Sequence, residues 1–313
     1  MYNKQLAIDT NNKISSNNTE IRTIHSFSQK AYNILCGDEQ GLKNVLKNNS
    51  NYMINSYDIV IIDEAQDLTP LLFSVVKKII YDTKAKNVMF MGDRRQCIYG
   101  FKEADNRFLT HADQLLGNIC NNIWIRCTLS TTYRCTNTIV DFINHCMLSE
   151  KRMTSNIRNV NKPIYICCNP FKIKENINRI IDTFIRNGNT YEDIAILSNT
   201  LGKGKKTPII ETVNYLSDMG KPIYMAQEDH KELNDILIKN KIIISTIHQF
   251  KGLEKKLIIV FGFDAGFYKS EMCKGESDKE CPNLLYVAAT RAKEKLILIL
   301  TFTQGECTDH YHF

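Results

Sequence analysis

The 313-residue sequence is poor in the residues that interrupt regular structure, with only 6 prolines and 14 glycines. These low counts exclude a collagen-like chain, and 43% apolar with 24% charged residues exclude a disordered one. The longest apolar runs, such as Leu257–Phe261, fall far short of the roughly 20 residues that cross a bilayer. Residues Met1–Lys4 show no secretory signal. We therefore expect a soluble, intracellular protein of cytoplasm or nucleus, with no membrane partner.

No CxxC pair occurs among the 11 cysteines, and no cysteine pair stands beside a suitably spaced pair of histidines. This argues against a zinc site and favours free, mostly buried thiols in a reducing compartment. The net charge of +6 is a mild basic excess. It is compatible with a polyanionic partner, but it is also common in proteins that bind none.

Short β-branched runs alternate with longer helical patterns, which predicts parallel α/β layers. Several of the runs are apolar on both faces, as expected for strands that helices cover on each side. Strands are predicted at Asp58–Ile62, Asn87–Met91, Pro163–Cys167, Ile194–Leu197, Ile242–Ser245, Leu257–Phe261 and Leu296–Thr301. Helices are predicted at Pro70–Tyr81, Thr136–Leu148, Ile173–Arg186, Ile209–Met219, Glu232–Asn240 and Pro282–Ala292. Surface loops are predicted at Thr10–Thr19, Gly202–Thr207 and Lys269–Glu280. The first strand–helix series ends near Asn118–Arg126, and a second one begins after Thr128. This predicts two lobes, 1–127 and 128–313.

The segment Ile59–Asp67 (IVIIDEAQD) is an apolar strand that ends in two carboxylates, Asp63 and Glu64. Ligands bind at the carboxyl edge of parallel sheets. One carboxylate can hold Mg²⁺ through its water shell, while its neighbour orients or deprotonates an attacking water. The alternative is a strand end capped by solvated acids, and the following Gln66 and Asp67 favour the first interpretation.

The segment Val88–Phe101 (VMFMGDRRQCIYGF) is a second strand with a polar end. Gln96 is placed to reach a terminal phosphate or its attacking water. Tyr99 and Phe101 are candidates for base stacking, which contributes about 1–3 kcal/mol per base. Taken singly, these two aromatics are more often core residues.

The two segments together resemble the Walker B and third motifs of superfamily 1 DNA helicases of the UvrD/Rep type. Further motifs resemble that family in the same order: MYNKQLA at Met1–Ala7, TIHSF at Thr23–Phe27, LSTTYR at Leu129–Arg134, YEDIAILSN at Tyr191–Asn199, ISTIHQFKGLE at Ile244–Glu254 and LYVAATRAK at Leu285–Lys293. The resemblance implies two RecA-like parallel-sheet lobes, the core of P-loop NTPase helicases. It also implies ATP and Mg²⁺ as cofactors and ATP-dependent 3′→5′ movement on single-stranded DNA or partial duplex. RNA stays open as a substrate, since stacking and phosphate contacts tolerate both.

The resemblance also implies roles for single residues. Asp63 would hold Mg²⁺, Glu64 would be the base for water, and Gln96 would sense the γ-phosphate. Arg134 and Arg291 would clamp that phosphate from the second lobe, in a cleft between lobes; the alternative for both is a surface salt bridge. For the nucleotide, Tyr133 would stack on the adenine, Glu254 would bind the ribose, and Gly252 would also contact the nucleotide. The residues implied to contact DNA are Tyr2, His25, Tyr99, Phe101, Thr246 and His248. A structural role is the alternative for the two histidines.

The pattern GxxxxGK[ST], the Gly-rich loop that binds the β- and γ-phosphates of ATP, does not occur in the sequence. The nearest segment, Leu201–Pro208 (LGKGKKTP), has Lys206 where Ser or Thr is required. We therefore expect an incomplete first lobe with an exposed apolar edge, and little activity of this chain alone. A separate polypeptide that carries the phosphate loop is one expected partner.

The intervals His25–Asp63 and Asn199–Ser245 are too short for accessory insertion domains, which predicts a minimal two-lobe core. Two alternatives to a working motor stay open. One is a non-catalytic remnant that binds single strands or docks on a partner. The other, less favoured, is an α/β NTPase with no nucleic-acid role.

Overall fold

The computed structural model describes residues 4–14, 18–48, 54–117, 119, 123–202, 206–225, 238–264 and 281–301. The chain divides into two compact units, Met1–Cys127 and Thr128–Phe313. The predicted lobes have the same bounds, and their assignment as the two lobes of a helicase core stays a prediction. No helix within the described ranges is both long enough and apolar enough to cross a membrane.

The first unit combines short helices with a parallel pair of strands. Its elements are α1 (Lys4–Lys13), α2 (Ile24–Tyr32), α3 (Glu39–Lys47), β1 (Ile59–Ile62), α4 (Pro70–Asp82), β2 (Asn87–Phe90), α5 (Arg107–Thr110) and α6 (Ala112–Leu115). The register of the strands runs from Ile59 opposite Asn87 to Ile62 opposite Phe90. The predicted loop Thr10–Thr19 is wrong over its first four residues, which continue helix α1 to Lys13.

Helix α4 shows why this sequence folds locally as it does. The Thr69 side chain accepts a hydrogen bond from the N–H of Leu72 at 3.2 Å, and Pro70 occupies the first turn, where its missing N–H costs nothing. Apolar residues recur at helical spacing, and the buried ones are Leu72, Phe73, Val75, Val76, Ile79 and Ile80. The helix therefore covers one face of the strand pair and forms the core of the unit.

The other face of β1 and β2 is uncovered in the described part of the chain. Ile59, Ile61 and Met89 are 47%, 49% and 47% exposed. The cover on both faces that the sequence predicts for several strands is therefore not found for this pair. The reason is that the described helices pack on the face that carries Val60 and Val88. We call the exposed side, with Ile59, Ile61 and Met89, the uncovered face.

The second unit is built on a six-stranded, all-parallel sheet with the order β5-β10-β9-β6-β8-β7. Its strands are β5 (Ile164–Cys168), β6 (Ile194–Ser198), β7 (Ile223–Met225), β8 (Ile242–Thr246), β9 (Lys255–Phe261) and β10 (Ala292–Thr301). Two very short strands, β3 (Thr131–Thr132) and β4 (Thr154–Ser155), pair with each other. The helices are α7 (Asn137–Phe142), α8 (Lys174–Arg186), α9 (Pro208–Asp218) and α10 (Asn283–Ala289). The predicted parallel α/β architecture is confirmed.

The predicted elements of the second unit differ from the structure mainly at their ends. The helix predicted over Thr136–Leu148 is an α-helix only to Phe142 and continues as a π-helical turn, Ile143–Met147. The helix predicted to reach Ala292 ends at Ala289, because Ala292 already begins β10. Strand β7 was not predicted. The predicted helix Glu232–Asn240 and the predicted loop Lys269–Glu280 lie mostly or wholly outside the described residues.

Candidate functional site

Two adjacent carboxylates follow β1, as the sequence predicted. The backbone N–H of Glu64 donates to Oδ1 of Asp63 at 2.9 Å, and the N–H of Ala65 donates to the carbonyl of Met91, just after β2, at 2.9 Å. Glu64 itself is left-handed, with φ of 53°. This conformation costs a non-glycine residue free energy and is concentrated at functional sites. The sharp turn holds both acids at the carboxyl edge of the strand pair.

The environment of Asp63 favours a cation. Burial raises the pKa of Asp63, and the neighbouring Glu64 charge raises it further, against a smaller opposing effect of the Glu64 N–H. A positive charge beside these two groups would relieve both effects. Carboxylate oxygens are also the ligands that Mg²⁺ accepts in proteins. The pair therefore fits a Mg²⁺ ion, with Asp63 as the residue that would hold it.

A buried glutamine connects the loops after the two strands. Gln66 is fully buried; its amide N–H donates to Oε2 of Glu64, and its Oε1 accepts from the N–H of Asp93 at 3.1 Å. Asp93 in turn accepts from the side chain of Gln96 at 3.3 Å. The predicted residues Glu64 and Gln96 are thus brought into one hydrogen-bonded chain. Sequence reasoning missed that Gln66 and Asp93 are the links, although both stand in the motifs it used.

Gly92 makes room for that glutamine. A Cβ atom at position 92 would lie 2.1 Å from Oε1 of Gln66 and 3.2 Å from the backbone nitrogen of Ala65. Both distances are below ordinary van der Waals contact. A side chain at this position is therefore incompatible with the link between the two loops.

Tyr99, Phe101 and Lys102 form what we call the aromatic cluster. The two rings lie 6.2 Å apart in an edge-on arrangement, and Nζ of Lys102 lies 5.6 Å and 5.8 Å from their centroids. Phe101 is 56% exposed, so the alternative that it is a core aromatic is wrong. Tyr99 is half-buried. An exposed Phe101 ring and a half-buried Tyr99 ring beside an ammonium group suit the stacking and charge contacts that bind single strands.

The second unit carries a group of charges that we call the shared-carboxylate cluster: Arg134, Glu254 and Lys293. Oε2 of Glu254 accepts from Nε of Arg134, and Oε1 lies 2.7 Å from Nζ of Lys293. Burial raises the pKa of Glu254, but the hydrogen bonds and charges of Lys293 and Arg134 outweigh burial and hold this pKa below its ordinary value. Arg134 therefore makes a salt bridge, as the alternative interpretation predicted. Lys293 was missed as a site residue, although it ends a quoted motif.

Arg291 lies close to the shared-carboxylate cluster but is buried, with 2% exposure. Its Nε donates to the carbonyl of Val287 at 3.0 Å, and its Nη2 donates to Oγ1 of Thr290 at 3.1 Å. The alternative that placed Arg291 at the surface is therefore wrong. Burial raises the pKa of the Cys135 thiol to about 11, opposed by the charges of Arg134 and Arg291. The structure thus brings both arginines near one buried thiol.

The remaining predicted nucleotide contacts are accessible. Tyr133 is 84% exposed, as a ring that stacks on a ligand must be before it binds. Gly252 is exposed and has φ of 92°, a conformation that favours glycine. It stands two residues before Glu254, in the turn that leads into β9.

The predicted DNA contacts other than the aromatic cluster are spread over both units. Thr246 ends β8 and is buried, with Oγ1 accepting from the N–H of Gln249 at 3.3 Å, and His248 is half-buried. His25 is half-buried in the first turn of α2, and burial lowers its pKa. Tyr2 lies outside the described residues. The functional roles of all these residues stay predictions.

Comparisons with known proteins match both units. The model of the UvrD/REP helicase N-terminal domain matches residues 41–116, and that of the UvrD-like helicase C-terminal domain matches residues 205–303. The ATP-dependent DNA helicase PcrA of Staphylococcus aureus is 28% identical over 203 residues, which cover 62% of this chain and 26% of that protein. A probable DNA helicase II homolog of Mycoplasma capricolum is 31% identical over 96 residues, 29% of this chain and 13% of that protein.

Among the solved structures, the chain was compared with the C-terminal domain of a possible DNA helicase from Lactobacillus plantarum. It has a TM-score of 0.36 and 20% identity, over 54% of this chain and 88% of that chain. The chain spans about a quarter of the length of the PcrA helicase that it matches. Two different domains of one family are matched, in the order that the motifs predicted. The chain belongs to the UvrD/Rep-type family of superfamily 1 helicases.

Proposed function

We propose that this chain is the motor part of an ATP-dependent DNA helicase, which couples ATP hydrolysis to 3′→5′ movement along single-stranded DNA. The observation that carries the proposal is the hydrogen-bonded chain Glu64–Gln66–Asp93–Gln96. It joins an acid suited to activating water to the segment that leads into the aromatic cluster. The names of the curated relatives, an ATP-dependent DNA helicase and a DNA helicase II homolog, agree with it.

Each residue has a definite task in this proposal. Asp63 would hold Mg²⁺, and the bound ion would neutralise phosphate charge. Glu64 accepts the proton of the attacking water, and Gln66 fixes its carboxylate by donating to Oε2. Gln96 donates to Asp93 and would contact the terminal phosphate when a nucleotide is bound. An arginine that reaches the transferring phosphate contributes about 10³–10⁵ in rate, and Arg134 is the accessible candidate in the second unit.

The DNA is bound by stacking and by charge. The Phe101 and Tyr99 rings offer π-faces to any base, while Lys102 neutralises a nearby phosphate. Because Gln96 and Tyr99 are separated by two residues, a shift of Gln96 on hydrolysis moves the aromatic cluster directly. This link is the proposed route from ATP chemistry to movement on the strand.

The 313 residues do not contain GxxxxGK[ST], and we expect ATP hydrolysis by this chain alone to be weak. A separate polypeptide that contributes a phosphate loop is part of the proposal. A second candidate function follows from the same observation: binding of single strands without catalysis.

The test is DNA-stimulated ATPase of the purified chain, with Glu64→Gln as the active-site variant and Glu39→Gln, an exposed residue of α3, as matched control. We expect the first variant to abolish the activity and the control to leave it unchanged. Movement on single strands labelled at the 3′ or the 5′ end tests direction. Hydrolysis that Glu64→Gln does not affect contradicts the assignment, and DNA binding without hydrolysis supports the second candidate.

A further inference from the structure

We propose that Lys293 is a positioning residue that acts through Glu254 and sets how firmly Glu254 holds Arg134. The inference rests on the proposed function, in which Arg134 leaves this contact to bind a terminal phosphate. Lys293 itself touches no nucleotide in this proposal. Its task is to keep the carboxylate satisfied when the arginine moves away.

The geometry shows one carboxylate divided between two cations. Oε2 of Glu254 contacts Arg134, and Oε1 contacts Lys293 at 2.7 Å, so each cation has its own oxygen. The three side chains are similarly accessible, at 34% for Arg134 and Glu254 and 40% for Lys293. A phosphate can therefore reach the arginine without unfolding the cluster.

Backbone hydrogen bonds hold the three segments in place. The N–H of Thr136 donates to the carbonyl of Lys293 at 3.0 Å, and the N–H of Lys255 donates to the carbonyl of Arg291 at 3.1 Å. The segments that carry Arg134 and Glu254 are thus both tied to the start of β10. Because the backbones are fixed, only side-chain movement decides which partner Arg134 takes.

The energetic argument concerns what Arg134 leaves behind. When a half-buried carboxylate loses its one cationic partner, its negative charge is left unpaired, and this raises the free energy of the protein. With Lys293 present, Glu254 keeps a charged partner after Arg134 departs, and the pKa of Glu254 stays low. Without Lys293, Arg134 is the remaining cationic partner among the described residues and is released less readily. Because the pair is partly exposed, the effect is limited to about two- to fivefold.

Four variants distinguish a positioning role of Lys293 from a merely structural one. Lys293→Met removes the second cation while keeping the length of the side chain, and Lys293→Arg keeps the charge. Glu254→Gln removes the hold on Arg134 but keeps a hydrogen-bond acceptor. Lys295→Met is the matched control, because Lys295 lies on the same strand and makes no salt bridge to any residue that the structure describes.

The first measurement is the rate at which phenylglyoxal modifies Arg134 in the folded chain, followed by peptide mass mapping. It needs neither nucleotide nor activity. We expect Lys293→Met to slow the modification by about two- to fivefold, and Lys293→Arg and Lys295→Met to leave it unchanged. Adding Glu254→Gln to Lys293→Met should raise the rate above that of the wild type. An unchanged or faster rate in Lys293→Met overturns the inference.

The second measurement is the steady-state ATPase of the same variants. We expect kcat to fall by about two- to fivefold in Lys293→Met and to stay at the wild-type value in Lys293→Arg, which keeps the charge beside Glu254. An equal loss of kcat in Lys293→Arg and Lys293→Met overturns the inference. If the wild-type chain has no ATPase but binds single strands, the second candidate function is favoured, and the modification rates still decide the role of Lys293.

Discussion

Gln66 and Asp93 are joined by a hydrogen bond of 3.1 Å between the side-chain oxygen of the first and the backbone N–H of the second. The bond links the loop after β1 to the loop after β2 at the carboxyl edge of the strand pair. The same glutamine also holds the carboxylate of Glu64. A single buried side chain therefore fixes the acid and the neighbouring loop relative to each other.

Replacing Gln66 by Ala should impair both catalysis and stability. The variant removes the donor to Glu64 and the acceptor of the Asp93 N–H, and a buried donor that loses its acceptor costs about 1–3 kcal/mol. We expect DNA-stimulated ATPase to fall by at least about tenfold, as for loss of a group that positions a catalytic base. Thermal unfolding and ATPase rates measure the two effects. Gln40→Ala, on the exposed side of α3, should change neither.

Gly92→Ala should destabilise the first unit by about 1–3 kcal/mol, because the new methyl group would overlap Oε1 of Gln66. Gly100→Ala is the matched control, since nothing lies within 4 Å of a Cβ at that position. Denaturant unfolding of both variants compares them directly. Equal stability of the two variants would contradict the close packing of Gly92 against Gln66.

Glu20 should make the first unit sensitive to acid. Its carboxylate lies 2.7 Å from Lys30 and 2.6 Å from the hydroxyl of Tyr57 and is paired with Arg22. Burial alone would raise its pKa, but the three partners lower it from 4.5 to about 2. The stability contributed by the charge is therefore fully present above pH 4.5 and is lost as the pH falls through about 2.

Glu20→Gln should remove that part of the pH dependence and lower the unfolding free energy at pH 7 by about 1–2 kcal/mol. Denaturant unfolding from pH 2 to 7 measures both quantities. Glu39→Gln, at an exposed position paired only with Lys43 at 3.6 Å among the described residues, is the control and should follow the wild type. The prediction is wrong if the two variants show the same pH dependence.

Phe101→Ala should weaken the binding of single-stranded DNA by about 5- to 150-fold, equivalent to the loss of one stacked base at about 1–3 kcal/mol. The melting temperature should hardly change, because the ring is mostly exposed. Tyr81→Ala removes another exposed aromatic, 73% exposed against 56% for Phe101, from α4 and should leave DNA affinity unchanged. Fluorescence anisotropy with a labelled oligonucleotide measures the affinity, and equal affinity of the two variants would remove the aromatic cluster from the DNA site.

Much of the fold is predictable because a strand that is buried on both faces must consist almost entirely of apolar residues. Residues Ile194–Leu197 and Ile242–Ile244 are fully buried, and their unbroken apolar runs predicted strands with ends correct to one residue. Strand β7 escaped prediction because Ile223–Met225 is only three residues long at the sheet edge. The uncovered face was also not predictable from Ile59 and Ile61, since an apolar residue looks the same whether or not a partner covers it.

The site was predictable to the extent that it depends on motifs. Asp63, Glu64 and Arg134 follow from residue type and order, and their functional roles stay predictions. The connections that Gln66 and Lys293 make depend on how far a side chain reaches between loops that are distant in sequence. Nothing in the sequence around Gln66 or Lys293 indicates which distant residue the side chain contacts, so only the structure shows these connections.

Strand β10 lies between β5 and β9 in the sheet of the second unit, although it is the last of the described strands along the chain. During synthesis on the ribosome, β5 can find its neighbour only after β10 has been made, since Ile164 pairs with Ile297. Until then, the sides of β5 and β9 that pair with β10 have no partner strand in the nascent unit. Chaperones bind folding intermediates with such exposed strands. Insertion of β10 between β5 and β9 should be the step that commits the second unit to its native state.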